Sequence, residues 1–128
     1  MLPNEETAAY YAAADAFLFA SKTETQGIVI PEAFAGRTPV LAVRASGVED
    51  LVDTGVNGVL TEENREAYAE TLLDFCQGRL TRAQLSENAY ISGLLYREET
   101  VAQEAAHVYN EIVRARHRGF STLQDVGA

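Results

Sequence analysis

The chain has 128 residues, 47% hydrophobic and 23% charged, with a formal net charge of −9 at pH 7. This length holds one domain or part of a larger one, and the apolar content suffices for a core that buries about two thirds of the unfolded surface. The acidic balance excludes nucleic acid or an anionic membrane face gripped by bulk electrostatics, and a lone cysteine excludes an intrachain disulfide framework or a zinc cluster.

Residues 4–14 read as a short helix, with Asn4 as N-cap and Glu5 and Glu6 in the first turn, where the helix dipole favours acids. The acidic start does not resemble a secretory signal, and no apolar run approaches the ~20 residues of a membrane span, so a cytoplasmic protein is expected. Residues 16–20 form a near-continuous apolar run, as in a buried parallel strand. A polar loop, 21–26, leads to Gly27, which can adopt backbone conformations other residues avoid. A helix over 28–36 follows; Pro31 fits only if it lies in the first turn, where the amides have no intrahelical partner. Gly36 closes that helix, and 39–43 is a second strand.

After the loop 44–47, residues 48–53 make one or two helical turns, Gly55 and Asn57-Gly58 mark turns, and Val59 and Leu60 form a very short strand. Thr61 or Asn64 caps a helix over 64–77 that ends at Gly78, and a further helix covers 80–92. The last helix, 98–116, is capped by Thr100, packs through Val101, Ala105, Val108, Tyr109, Ile112 and Val113, and stops at Gly119. Residues 120–128 form a flexible tail. Cys76, in an apolar helical stretch, reads as a packed, inert thiol, and Tyr10, Tyr11, Tyr90, Tyr96 and Tyr109 read as core or interface.

Strands alternating with helices predict an α/β fold, a Rossmann-like parallel sheet with flanking helices. Three strands leave an apolar edge open, so the expected domain, residues 1–119, is the second half of a larger one. Self-association is expected through that edge or the last helix.

The chemistry concentrates in residues 21–36. Glu24 and Glu32, one in the loop and one about a turn into the helix, are acceptors for polyol hydroxyls, and the amides of Gly27, Ile28 and Val29 at the helix start suit a diphosphate. Sugar hydroxyls, diphosphate and ribose hydroxyls outline a nucleotide-sugar. The same two glutamates read equally as a helix-capping acid and a solvated surface residue. A glycosidase pair, two acids roughly 5–9.5 Å apart across a scissile bond, fits poorly with a phosphate-sized gap between them. Neither GxGxxG nor a P-loop is present.

In order along the chain stand Tyr10-Tyr11, Ala14-Asp15, Ser21, Glu24, Gly27-Ile28, Glu32-Ala33, Gly36, Pro39-Val40, Ala42, Gly47, Glu49 and Gly55-Val56-Asn57-Gly58-Val59. As a set these resemble the carboxyl-terminal part of the retaining GT-B-fold glycosyltransferases (glycosyl transferases group 1, with a Glu-x7-Glu motif), over residues 4–113. The resemblance implies the donor-binding domain of an enzyme that transfers a sugar from a UDP- or GDP-linked donor, with retention and without an essential metal or other cofactor. Glu24 would be the catalytic-site acid holding donor-sugar hydroxyls. Glu32 would bind the ribose, Gly27, Ile28 and Val29 would meet the diphosphate, and Ser21 would line the nucleotide side.

The run Thr23 to Gly27 looks like the subgroup acting on lipid or small-alcohol acceptors, with Gln26 where many members carry an aromatic residue. A membrane-peripheral parent is compatible with this. The family also uses an Arg and a Lys from the first half of this domain and acceptor contacts from an amino-terminal domain, none of which lies in these residues. Lys22 and Arg44 are near but not at the matching positions and read as solvated. The chain alone is therefore expected to be inactive. The alternative is a stand-alone nucleotide- or phosphate-binding α/β module, or a structural or regulatory domain without a working site.

Overall fold

The computed structural model describes residues 4–22 and 27–124. The chain divides into two units, Met1–Leu94 and Leu95–Ala128. In the first, helix α1 (Asn4–Ala13) precedes strand β1 (Phe17–Phe19), helix α2 (Val29–Ala35), strands β2 (Val40–Val43) and β3 (Gly58–Thr61), and helices α3 (Arg65–Cys76) and α4 (Arg82–Leu94). The sheet is parallel in the order β1-β2-β3, with Phe17 paired to Val40 and Val40 to Gly58. Residues 46–51 are hydrogen-bonded turns, and the i→i−4 bonds Glu49 N–H to Ala45 O at 3.2 Å and Val52 N–H to Val48 O at 3.0 Å make the one or two helical turns expected there without a regular helix.

Alternation along β2 divides the core. Val40 and Ala42 face Phe19, Ile30, Ala33, Phe34, Val48, Val52 and Ala89, while Leu41 faces Phe75 and Leu85. Helix α4 contributes to both core clusters, through Ala89 in the one and Leu85 in the other. Of the two caps open to α3, Asn64 is the one used: its side chain accepts from the amides of Glu66 at 2.8 Å and Ala67 at 3.1 Å. The Tyr68 hydroxyl of α3 donates to the Leu41 carbonyl at 3.0 Å, tying that helix to the central strand.

Gly36 does not end α2 by adopting a left-handed conformation. It is the C-cap at φ −78°, and the left-handed residue is Arg37 at φ 61°. Arg37 N–H bonds Phe34 O and Thr38 N–H bonds Ala33 O, both at 2.9 Å, the Schellman pattern with arginine where glycine is usual. The backbone strain is offset by contacts to α4: the guanidinium pairs with Glu87 and lies 4.1 Å above the Tyr90 ring. Gly36 is instead needed for space, since a Cβ there would stand 2.8 Å from Tyr11 Cβ.

Cys76 is exposed, not packed. It follows Phe75, which turns inward, and successive residues on a helix point about 100° apart. Under native conditions Cys76 should therefore react with a thiol reagent such as DTNB at a rate within about tenfold of a free thiol. Modification only after denaturant is added would contradict the exposed position.

The second unit contains α5 (Glu98–Gln124). Along its apolar stripe Val101, Val108, Tyr109, Ile112 and Val113 are each at least half exposed, Tyr109 at 70%. The 3.6-residue period sets which face is apolar, not what covers it. Tyr10 and Tyr96 are also exposed, against the core reading. Helix α5 runs through Gly119 to Gln124, so residues 120–124 are helical; one glycine costs only about 1 kcal/mol in a helix, and no proline follows to stop it. Among the described residues no helix is long and apolar enough to cross a membrane.

Candidate functional site at the carboxyl edge of the sheet

The strands end at Phe19, Val43 and Thr61, so the segments that follow them gather at one edge. Open α/β sheets take ligands at that edge. Ser21 is half-buried just after β1. Glu24 lies outside the described residues. Gly27 is buried with φ +57°, so the backbone conformation favours glycine; a Cβ on it would sit 2.7 Å from Leu51 Cδ1, the end of a side chain that can turn aside.

Helix α2 starts without a side-chain cap. Pro31 is its third residue and has no N–H, so the Gly27 carbonyl takes the Ile30 amide at 2.9 Å, and the Glu32 amide returns to Ile28 O at 3.1 Å. The proline thus falls in the first turn, as its chemistry requires. Ile28 is exposed and Val29 half-buried. Glu32 is exposed in that same first turn, where the dipole favours a carboxylate. The structure therefore places Ser21, Gly27, Ile28, Val29 and Glu32 on a single strand-to-helix connection.

Glu32 has a partner that the sequence reading missed. The Tyr11 hydroxyl of α1 donates to Glu32 Oε2 at 3.4 Å. The two residues, with Thr7, Ala8 and Ala35, line a depression of about 220 Å³ between α1 and α2. Burial, and then the Glu32 charge and hydrogen bond, raise the Tyr11 pKa above the ordinary phenol value. The Tyr10-Tyr11 pair was visible in the sequence, but an Ala-rich helix carries no signal for which ring turns toward α2.

Two basic side chains at this edge, Lys22 and Arg44, are exposed and paired with acids. Arg44 contacts Glu49 Oε2 at 3.1 Å and Glu62 Oε1 at 3.2 Å, and these two hydrogen bonds raise its pKa further. Lys22 pairs with Glu63. Both were expected to be solvated; they are exposed but paired.

The sequence pattern of the family described as glycosyl transferases group 1 matches residues 1–92. The chain belongs to the glycosyl transferases group 1 family. Among curated members of related sequence, alpha-monoglucosyldiacylglycerol synthase of Acholeplasma laidlawii is 37% identical over 111 residues, covering 86% of this chain and 27% of that protein. D-inositol 3-phosphate glycosyltransferase of Corynebacterium kroppenstedtii is 32% identical over 113 residues, 88% of this chain and 25% of that protein.

Solved structures agree. Anabaena HepE in complex with UDP superposes with a TM-score of 0.67 at 30% identity, over 80% of this chain and 29% of HepE. Sucrose-phosphate synthase of Thermosynechococcus elongatus gives a TM-score of 0.73 at 26% identity, over 90% of this chain and 29% of that one. The group 1 chain thus has the Rossmann-like parallel sheet of the GT-B glycosyltransferases, and spans less than a third of the length of these relatives.

Proposed function

We propose that this group 1 chain is the second half of the donor-binding domain of a retaining glycosyltransferase and forms one wall of its nucleotide-sugar site. The observation that carries the reading is the β1–α2 connection. It puts a left-handed, buried Gly27 at the sheet edge and Glu32 in the helical turn that follows, in a chain 30% identical to a structure holding UDP. In this reading Glu24 meets donor-sugar hydroxyls and Glu32 the ribose, as in a Glu-x7-Glu site. Ser21 lines the nucleotide, and Gly27, Ile28 and Val29 approach the diphosphate.

In the transfer, the bond from the sugar anomeric carbon to the diphosphate oxygen breaks, and a bond from that carbon to an acceptor oxygen forms. The nucleoside diphosphate departs with the electron pair, and the acceptor loses its proton. A departing diphosphate needs placed positive charge. Here Arg44 and Lys22 are already matched to Glu49, Glu62 and Glu63, so they supply little net charge. The missing charge and the acceptor wall would come from an amino-terminal part of a parent chain, and no metal or cofactor is invoked. The names of the diacylglycerol and inositol-phosphate relatives support a lipid or small-alcohol acceptor and a parent that works at a membrane surface.

Titration of the 128-residue chain with UDP, followed by calorimetry or NMR, should show weak binding with a Kd of about a millimolar. Glu32→Gln should weaken it by about tenfold, as expected for a lost charge-assisted hydrogen bond. UDP-glucose offered with a lipid or inositol acceptor should give no product from the chain alone. Turnover at an ordinary transferase rate, or UDP binding indifferent to Glu32, would defeat the reading.

A further inference from the structure

We propose that Tyr11 is a positioning residue for Glu32, fixing the carboxylate in the orientation that receives a nucleoside ribose. The inference rests on the reading of Glu32 as the ribose acid. Three contacts converge to place the Tyr11 ring. The ring stands edge-on to Phe17, with centroids 5.4 Å apart and planes at 83°. Its backbone carbonyl accepts from the Thr38 hydroxyl, which is wholly buried at the end of α2. Gly36 lets α1 approach α2 closely at this residue, where any Cβ would strike Tyr11 Cβ. The side chain of an exposed glutamate, by contrast, has several rotamers and loses entropy when one is fixed.

A single bond to Oε2 lowers that loss before ligand arrives and leaves acceptor capacity for a vicinal diol, since an ionised carboxylate offers about four lone-pair sites. The 3.4 Å separation is long beside the ~2.5–2.7 Å of a charge-assisted O–H···O bond, and such contacts commonly tighten only in the complex. The depression lined by Thr7, Ala8, Tyr11, Glu32 and Ala35 leaves room beside the carboxylate. The raised phenol pKa agrees with a hydroxyl that stays protonated and donating.

The test compares UDP with 2′-deoxy-UDP on the unaltered chain and on Tyr11→Phe, Glu32→Gln and Tyr10→Phe. Tyr11→Phe keeps the ring against Phe17, so thermal melting should be unchanged, while the preference for UDP over the deoxy form should fall by about threefold or more. Tyr10→Phe, altering an exposed ring, should leave the preference intact. A preference abolished by Glu32→Gln but untouched by Tyr11→Phe overturns the positioning role alone. No preference in the unaltered chain, or one insensitive to Glu32→Gln, overturns the ribose reading and this inference with it.

Discussion

Gly58→Ala should lower the stability of the chain by about 3 kcal/mol or more, a drop in melting temperature on the order of 10 °C. Gly58 opens β3 and is paired with Val40 of β2. A Cβ there would overlap the Val40 carbonyl oxygen and stand 2.9 Å from Val52 Cγ1. The obstruction is strand backbone, not the end of a flexible side chain. Relief therefore requires β2 and β3 to separate at their start, which weakens the ladder and opens the cluster holding Val40 and Val52. Gly55→Ala is the matched control: its φ is +83° but nothing lies within 4 Å of a built Cβ, so only the left-handed strain of about 1 kcal/mol applies. Equal melting of the two variants, read by circular dichroism, would refute the close-approach argument.

Asn57→Ala should cost about 2–4 kcal/mol, measured as a fall in the urea midpoint at constant m-value. Asn57 is only 4% exposed, and its amide spans three partners. Oδ1 accepts from the Asp53 amide at 2.8 Å, and Nδ2 donates to the Leu51 carbonyl at 3.1 Å and to Ser92 Oγ of α4 at 3.0 Å. Truncation leaves a backbone N–H and a carbonyl without that side chain in a partly buried turn, each unpartnered group costing up to about 1–3 kcal/mol. Ser92→Ala removes one of two acceptors for Nδ2 and should cost only about 0.5–1.5 kcal/mol. Asn57→Asp should be at least as damaging as the alanine, because it loses both donors and turns an anion toward the Leu51 carbonyl. Faster hydrogen exchange at the Asp53 amide in Asn57→Ala would localise the effect. A cost no greater than that of Ser92→Ala would show that the bridge contributes little.

These two residues mark where local reading stops. Asn57-Gly58 is a turn signal by composition, and the turn is there. That Asn57 is a buried cross-link to α4, and Gly58 a site of backbone contact, depends on partners 35 and 18 residues away in sequence. No propensity encodes them. The same holds for Arg37, which occupies a left-handed position while its guanidinium meets Glu87 and Tyr90 of α4. Cys76 and the apolar stripe of α5 erred the other way: hydrophobicity at helical spacing identified a face, but only tertiary packing decides whether it is covered.

The sequence by itself determined the alternation of three short apolar strands with helices, and the parallel sheet that follows. Buried strands are continuous in hydrophobicity, and helices are periodic; both are properties of neighbouring residues. It also determined the candidate segment, because Gly27, Pro31 and Glu32 impose local conditions on a strand-to-helix turn that the structure meets. Only the tertiary structure decided that Tyr11 reaches Glu32, that Lys22 and Arg44 are matched by acids, and that α4 contributes Ala89 to one core cluster and Leu85 to the other. Each of these is a contact between elements distant in the chain, whose energy depends on a relative placement that no local pattern carries.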